Sequence, residues 1–183
     1  MQYEKELILK DGANCLLRAA AESDAAEVLR CFNLTHAETD YLLTYTEENT
    51  FTAEQEAEFL KAQADSPNAI EIAAFVDGTL AGTAGIEPLA DKEKMRHRAE
   101  FGIAVEKAYW GRGIGKALTL ACIECARRAG FLQLELEVVA ENASAVKLYE
   151  AAGFREYGRN PRGFRARTGW QEVVLMRLEL DSE

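Results

Sequence analysis

"YWGRGIGKAL", Tyr109–Leu118, places an aromatic pair, three glycines at alternate positions and two cations directly before a helical pattern. Glycine costs backbone entropy and has no side chain to pack. Gly111, Gly113 and Gly115 must therefore serve the backbone itself. Downstream, Ile114, Ala117, Leu118, Ala121, Cys122, Cys125 and Ala126 recur at i, i+3, i+4, i+7, i+8, i+11 and i+12, an amphipathic helix. Arg127 and Arg128 suit its last turn, and Gly130 stops it. Upstream, Arg98 to Val105 reads as a strand. A strand that enters a helix through a glycine turn makes an anion site, because the first amides lack partners and the helix dipole adds about half a positive charge. Two familiar anions do not fit. A Walker A loop needs Gly where Trp110 stands and Ser or Thr where Ala117 stands, and G-x-G-x-x-G finds no third glycine in register.

Outward from this turn, Asn14–Ala19 is a candidate first strand. A helix capped at Ser23 or Asp24, with Glu27 completing a capping box from Asp24, should run to about Phe32. Thr52 and Gln55 form a second box and open a helix to about Ala64. Between them, His36 to Thr50 suits a loop or a short extra helix. Ile70–Val76 and Leu80–Glu87 flank Asp77-Gly78, a hairpin signal. Leu132–Val139 alternates as a strand, Asn142–Ala151 reads as a helix closed by Gly153, and Gln171–Leu180 as a last strand. Arg155, Arg159, Arg162, Arg165 and Arg167 form a basic run expected to lie solvated in a long loop, with a dimer or nucleotide contact as alternatives. Strands grouped beside helices argue for an α/β or α+β fold rather than a doubly wound sheet.

The chain has 183 residues, 48% hydrophobic and 28% charged, with a net charge of −10. That length suits one domain, 1–183. The acidic balance argues against nucleic acid, whose binding needs surplus Lys and Arg. Met1–Gly12 has no apolar core of signal-peptide length, and no uncharged run reaches the ~18 residues that span a bilayer. The expectation is a cytoplasmic protein with no membrane partner. Cys15 and Cys31 stand alone, and the Cys122/Cys125 pair falls within a helical face with no second C-x-x-C, so structural core is expected. His36 and His97 are far apart, and no metal site is expected.

Trp110-Gly111-Arg112-Gly113-Ile114-Gly115 resembles the acyl-CoA pyrophosphate loop of the GCN5-related N-acetyltransferase (GNAT) family, with Trp110 where that pattern has Gln or Arg. "NASAVKLYEAAGF", Asn142–Phe154, resembles the family's N-x-x-A-x-x-L-Y-x-x-x-G-F at every fixed position. The specific likeness covers about residues 98–154. It implies a mixed, mostly antiparallel sheet of about seven strands flanked by about four helices, with two neighbouring parallel strands, 98–105 and 132–139, splayed to admit the pantetheine arm. By resemblance, Ile103, Ala104 and Val105 line that arm, with an amide near Ile103 facing the thioester oxygen. Gly111, Arg112, Gly113, Ile114, Gly115 and Lys116 hold the pyrophosphate. Asn142 is either an N-cap alone or also a contact to the arm.

The implied activity is acetyl transfer from the cosubstrate acetyl-CoA to a primary amine, by direct attack in a ternary complex and without metal. Tyr149 is the candidate general acid, since a phenol can donate its proton, or a hydrogen bond, to the departing thiolate. Glu100 is the candidate base, at a position where some members carry a glutamate. Glu38, Asp40, Glu47 and Glu48 follow the first helix, where members line the acceptor site, and would favour a small cationic amine. A protein N-terminal or lysine acetyltransferase, and a non-catalytic acyl-CoA-binding module, remain as alternatives. Many members dimerise, so a homodimer is open.

Overall fold

The structure, a computed structural model, describes residues 1–180; the last three residues of the expected 1–183 domain lie outside the described residues. In chain order the elements are β1 (Glu4–Ile8), β2 (Asn14–Ala19), α1 (Ala25–Glu38), α2 (Ala53–Asp65), β3 (Ile70–Val76), β4 (Thr79–Pro88), β5 (Arg98–Val105), α3 (Ile114–Arg128), β6 (Gln133–Val139), α4 (Ala143–Ala151), β7 (Arg155–Ala166) and β8 (Gly169–Glu179). The strands form one sheet in the order β1-β2-β3-β4-β5-β6-β8-β7. Every pairing is antiparallel except β5 with β6. The mixed, mostly antiparallel sheet with its helices is as expected, with eight strands among the described residues.

Residues 155–166, expected as a loop, are strand β7, and the reason is its place at the sheet edge. Proline cannot donate to a ladder and is confined to edges and bulges, and Pro161 sits at the irregularity between Asn160 and Phe164. The arginines stay in water: Arg159 pairs with Glu156 and Glu172, while Arg162 and Arg165 lie over the exposed Trp170 ring. Strand β1 forms the other edge. Helix α1 runs on to Glu38 rather than ending near Phe32, and a short 3-10 turn follows at Thr46–Glu48. The Asp24–Glu27 box does not form. Asp24 instead accepts from the Ala21 amide and pairs with Arg18, which ties the helix entrance to β2. The Thr52–Gln55 box forms as expected.

The two sheet faces carry separate cores. Helix α3 buries Leu118, Ala121, Cys122 and Cys125 against Leu17, Ile72, Phe101 and Leu136. On the other face α1 and α2 bury Val28, Cys31 and Leu60 against Ala73 and Leu80. All four cysteines are buried and free. Among the described residues no helix is long and apolar enough to cross a membrane.

Gly82 joins the central strands. A Cβ there would stand 2.6 Å from the Ala104 carbonyl oxygen and 2.9 Å from Val105 Cα, both backbone atoms of β5. Only strand movement could make room. Gly82→Ala should therefore destabilise the fold by about 1–3 kcal/mol, measurable by urea unfolding.

Candidate functional site

Strands β5 and β6 pair only at Arg98–Gln133, Ala99–Leu134 and Glu100–Glu135. Beyond Glu100 they part, while β5 stays on β4 as far as Val105 and β6 stays on β8 as far as Val139. Arg98 O accepts from Leu89 N–H, and Glu106 N–H donates to Ala81 O, so even-numbered residues of β5 turn their main chain toward β4. Ile103 and Val105 therefore turn theirs into the gap. The Ala104 carbonyl points at β4, beside Gly82.

A cavity of about 560 Å³ opens at this gap. Ile103, Ala104 and Val105 line its middle, and Thr35, Thr39 and Tyr41 approach from the α1 side. The glycine turn closes the opposite side. Gly111 and Gly113 adopt φ of 77° and 102°, the left-handed region that favours glycine, and Gly113 caps α3. The first amide to bond back is Ala117 N–H, to Gly113 O at 3.1 Å. Ile114, Gly115 and Lys116 thus present amides with no intrahelical acceptor. Gly115 faces α4, where a Cβ would make an ordinary contact with Leu148 Cδ2 at 3.4 Å.

The cations divide. Lys10, from the β1–β2 turn, and Lys116 line the cavity. Arg112 instead pairs with Asp11 and lies over the Tyr109 ring. The indole Nε1 of Trp110 donates to Val105 O at 2.6 Å, occupying one lone pair of a carbonyl expected to serve the arm.

Asn142 Oδ1 caps α4, accepting from Ala145 N–H at 3.3 Å and from Ser144 Oγ at 3.1 Å, while the residue also lines the cavity. Capping therefore leaves its amide nitrogen available as a donor. Tyr149 is 7% exposed and lines the same cavity. Its ring meets Phe101 edge-on and Phe154 at a tilt. Burial pushes its phenol well above the ordinary range, so it stays protonated. Its hydroxyl has no hydrogen-bond partner in the protein among the described residues.

Glu100 sits where the strands part, exposed, on the face opposite Phe101. It does not line the cavity wall. Desolvation, then the charges of Glu87, Glu137 and Glu135, raise its pKa. Glu71 on β3 is pushed up to about 7, first by burial, with Thr83 opposing and Glu56 and Glu87 adding to the rise. The acids after α1 are largely engaged: Glu38 accepts from the Lys107 amide, Glu47 pairs with Arg167, and Glu48 accepts from the Tyr45 amide. Sequence reasoning missed Lys10, Thr35, Thr39 and Tyr41 as cavity residues, because no local pattern ties them to the glycine turn.

Compared with known proteins, residues 34–154 match the acetyltransferase (GNAT) family. The chain belongs to the GNAT family. A GNAT acetyltransferase from Streptococcus pneumoniae superposes with a TM-score of 0.87 at 33% identity, covering 91% of this chain and 99% of that one. The Salmonella typhimurium protein yncA, solved with its cofactor acetyl-CoA, shares the fold with a TM-score of 0.83 at 21% identity, covering 93% and 96%. The L-amino acid N-acetyltransferase AaaT of Escherichia coli is 33% identical over 96 residues, 52% of this chain and 59% of that protein. The chain thus spans little more than half the length of the curated relatives it matches.

Glu71 gives a test of the site's electrostatics. Its folded pKa of about 7 lies above the ordinary 4.5, so the stability it contributes is present at acid pH and lost as pH rises through 7. Glu71→Gln, which cannot ionise, should match the parent near pH 4, begin to exceed it above pH 4.5, and exceed it at pH 8 by about 1–3 kcal/mol in urea unfolding.

Proposed function

We propose that this chain is a single acetyltransferase domain that moves the acetyl group of acetyl-CoA directly to a primary amine in a ternary complex. The observation that carries this reading is the gap between β5 and β6, which opens onto the unpartnered amides of α3 and holds the Tyr149 hydroxyl in the same cavity. The chemistry of the cavity fits the cosubstrate: backbone donors and two lysines at one end suit a diphosphate, and unpaired strand groups suit an amide-bearing arm. Acetyl-CoA supplies an activated acyl group on sulfur.

The residues then divide the work. Amides of Gly113 to Lys116, with Lys116 and Lys10, hold the diphosphate. Main-chain groups of Ile103 and Val105, with the Asn142 side-chain amide, hold the arm. The Ile103 amide faces the thioester oxygen, where one preorganised donor is worth about 3 kcal/mol. Glu100, directly or through a water, takes a proton from the acceptor's ammonium. The amine nitrogen then bonds the acyl carbon, the carbon–sulfur bond breaks with its electron pair leaving on sulfur, and the proton the nitrogen sheds as it becomes an amide passes through water to the released thiolate.

Tyr149 steadies that sulfur. A phenol of ordinary pKa near 10 is a weaker acid than a thiol near 8.5, so full proton transfer is uphill by about 2 kcal/mol. Burial steepens the climb. Tyr149 therefore acts as a hydrogen-bond donor to the developing thiolate rather than as a full proton donor.

A thiol-release assay with acetyl-CoA and a panel of amines, amino acids and peptides tests the activity, and tight CoA binding without turnover on any acceptor would leave only a binding module. Tyr149→Phe should lower kcat by about 10–100-fold with little change in the KM for acetyl-CoA; unchanged turnover would remove its role. Glu100→Gln should lose the acidic limb of the kcat/KM–pH profile, and a retained limb would assign the base elsewhere.

A further inference from the structure

The turn between β1 and β2 lies against the glycine turn, joined to it by one ion pair. Arg112 Nε donates to Asp11 Oδ2 across a separation of 101 residues. The β1–β2 turn is itself tightly drawn. Gly12 N–H donates to Leu9 O at 3.0 Å, Leu9 N–H to Ala13 O at 2.9 Å, and Ala13 N–H to Asp11 Oδ1 at 3.2 Å. Asp11 thus shapes its own turn with one carboxylate oxygen and holds Arg112 with the other. The guanidinium is held a second time, its Cζ 5.2 Å from the centre of the Tyr109 ring.

Arg112 does not line the cavity, whereas Lys10, the neighbour of Asp11, does. Lys10 Cε lies 4.0 Å from where a Cβ would stand on Gly113, the residue that caps α3. Among the described residues no carboxylate pairs with Lys10. A lysine side chain carries about 2 kcal/mol of rotamer entropy, so a turn that also moved would spread its ammonium widely. Fixing the turn lowers the cost of bringing that ammonium to a ligand.

By charge alone, Asp11 is misplaced. A carboxylate beside an anion site repels the ligand, and this one also occupies a cation of the glycine turn. Its contribution to the site must therefore come through position.

Building on the proposed binding of acetyl-CoA, we propose that Asp11 is a positioning residue for the cosubstrate: by tying the β1–β2 turn to Arg112, it holds the Lys10 ammonium beside Gly113, where the diphosphate meets the free amides of α3. Arg112 is then the anchor of that turn rather than a phosphate ligand. The diphosphate is gripped from two sides, by main-chain donors and by a cation from a distant part of the chain.

Calorimetry of CoA binding to the full chain, arranged as a double-mutant cycle on Asp11 and Lys10, tests this. Asp11→Asn keeps an Oδ1 acceptor for the Ala13 amide and loses only the charge that holds Arg112. Charge alone predicts tighter CoA binding in this variant, and positioning predicts weaker. The expected Kd is about five- to tenfold higher in Lys10→Gln and about three- to fivefold higher in Asp11→Asn. In the Asp11→Asn background, Lys10→Gln should cost less than about twofold more. Lys10→Arg, which keeps the cation, should stay within about twofold of the parent, and the Lys10→Gln loss should persist with 3′-dephospho-CoA, which retains the diphosphate.

Four results would each overturn the inference: Asp11→Asn binding CoA as tightly as the parent or more so, an equal Lys10→Gln loss in both backgrounds, no recovery in Lys10→Arg, or a loss that vanishes with 3′-dephospho-CoA. All four leave the parent's CoA binding, and with it the proposed acetyl transfer, standing. A parent that does not bind CoA would instead overturn both.

Discussion

The parting of β5 from β6 is the constraint on which the site depends. Each strand is held from its outer side: β5 by β4 up to Val105, and β6 by β8 up to Val139. Gly82 lets β5 lie close on β4, where a Cβ would meet Ala104 and Val105 backbone. The end of β5 is anchored further by the buried Glu106, whose carboxylate pairs with Arg30 of α1 at 2.8 Å. Strand twist carries the two halves of the sheet apart once three residue pairs have formed. Backbone groups left without partners in such a gap need a ligand or water, and Ile103 and Val105 supply them.

The two faces of the sheet around the gap differ in electrostatic character. On the α3 side, unpartnered amides, the helix dipole and the two lysines gather positive potential. On the α1/α2 side, the strands supply a field of carboxylates. A chain of net charge −10 thus reserves its local positive potential for an anion and directs its surplus negative charge toward the other face.

Much of the α3 side was legible in the sequence because its signals are local. Glycine at positive φ, a 3.6-residue apolar period and an Asn cap are each set by neighbours within a few residues. The carboxylates around Glu100 were not legible, because Glu87, Glu100 and Glu135 become neighbours only through strand register, over separations no local pattern reports. The converse error has the same cause. Glu38 and Glu47 looked available along the chain, but the fold brings Lys107 and Arg167 to them, whereas Glu48 is taken up locally by the Tyr45 amide three residues before it. Strand β7 was hidden by Pro161 and its arginines, which read as loop until an edge position makes both acceptable.

The two candidate catalytic groups are also linked through their environments. Tyr149, buried against Phe101 and Phe154, stays neutral and offers a donor whatever the protonation of its surroundings. Glu100, the base proposed above, has its pKa raised by desolvation and then by the neighbouring carboxylates. A raised pKa makes a stronger base but leaves less of it ionised near neutrality. A positive charge brought beside Glu100 would relieve part of that repulsion and favour its ionised form.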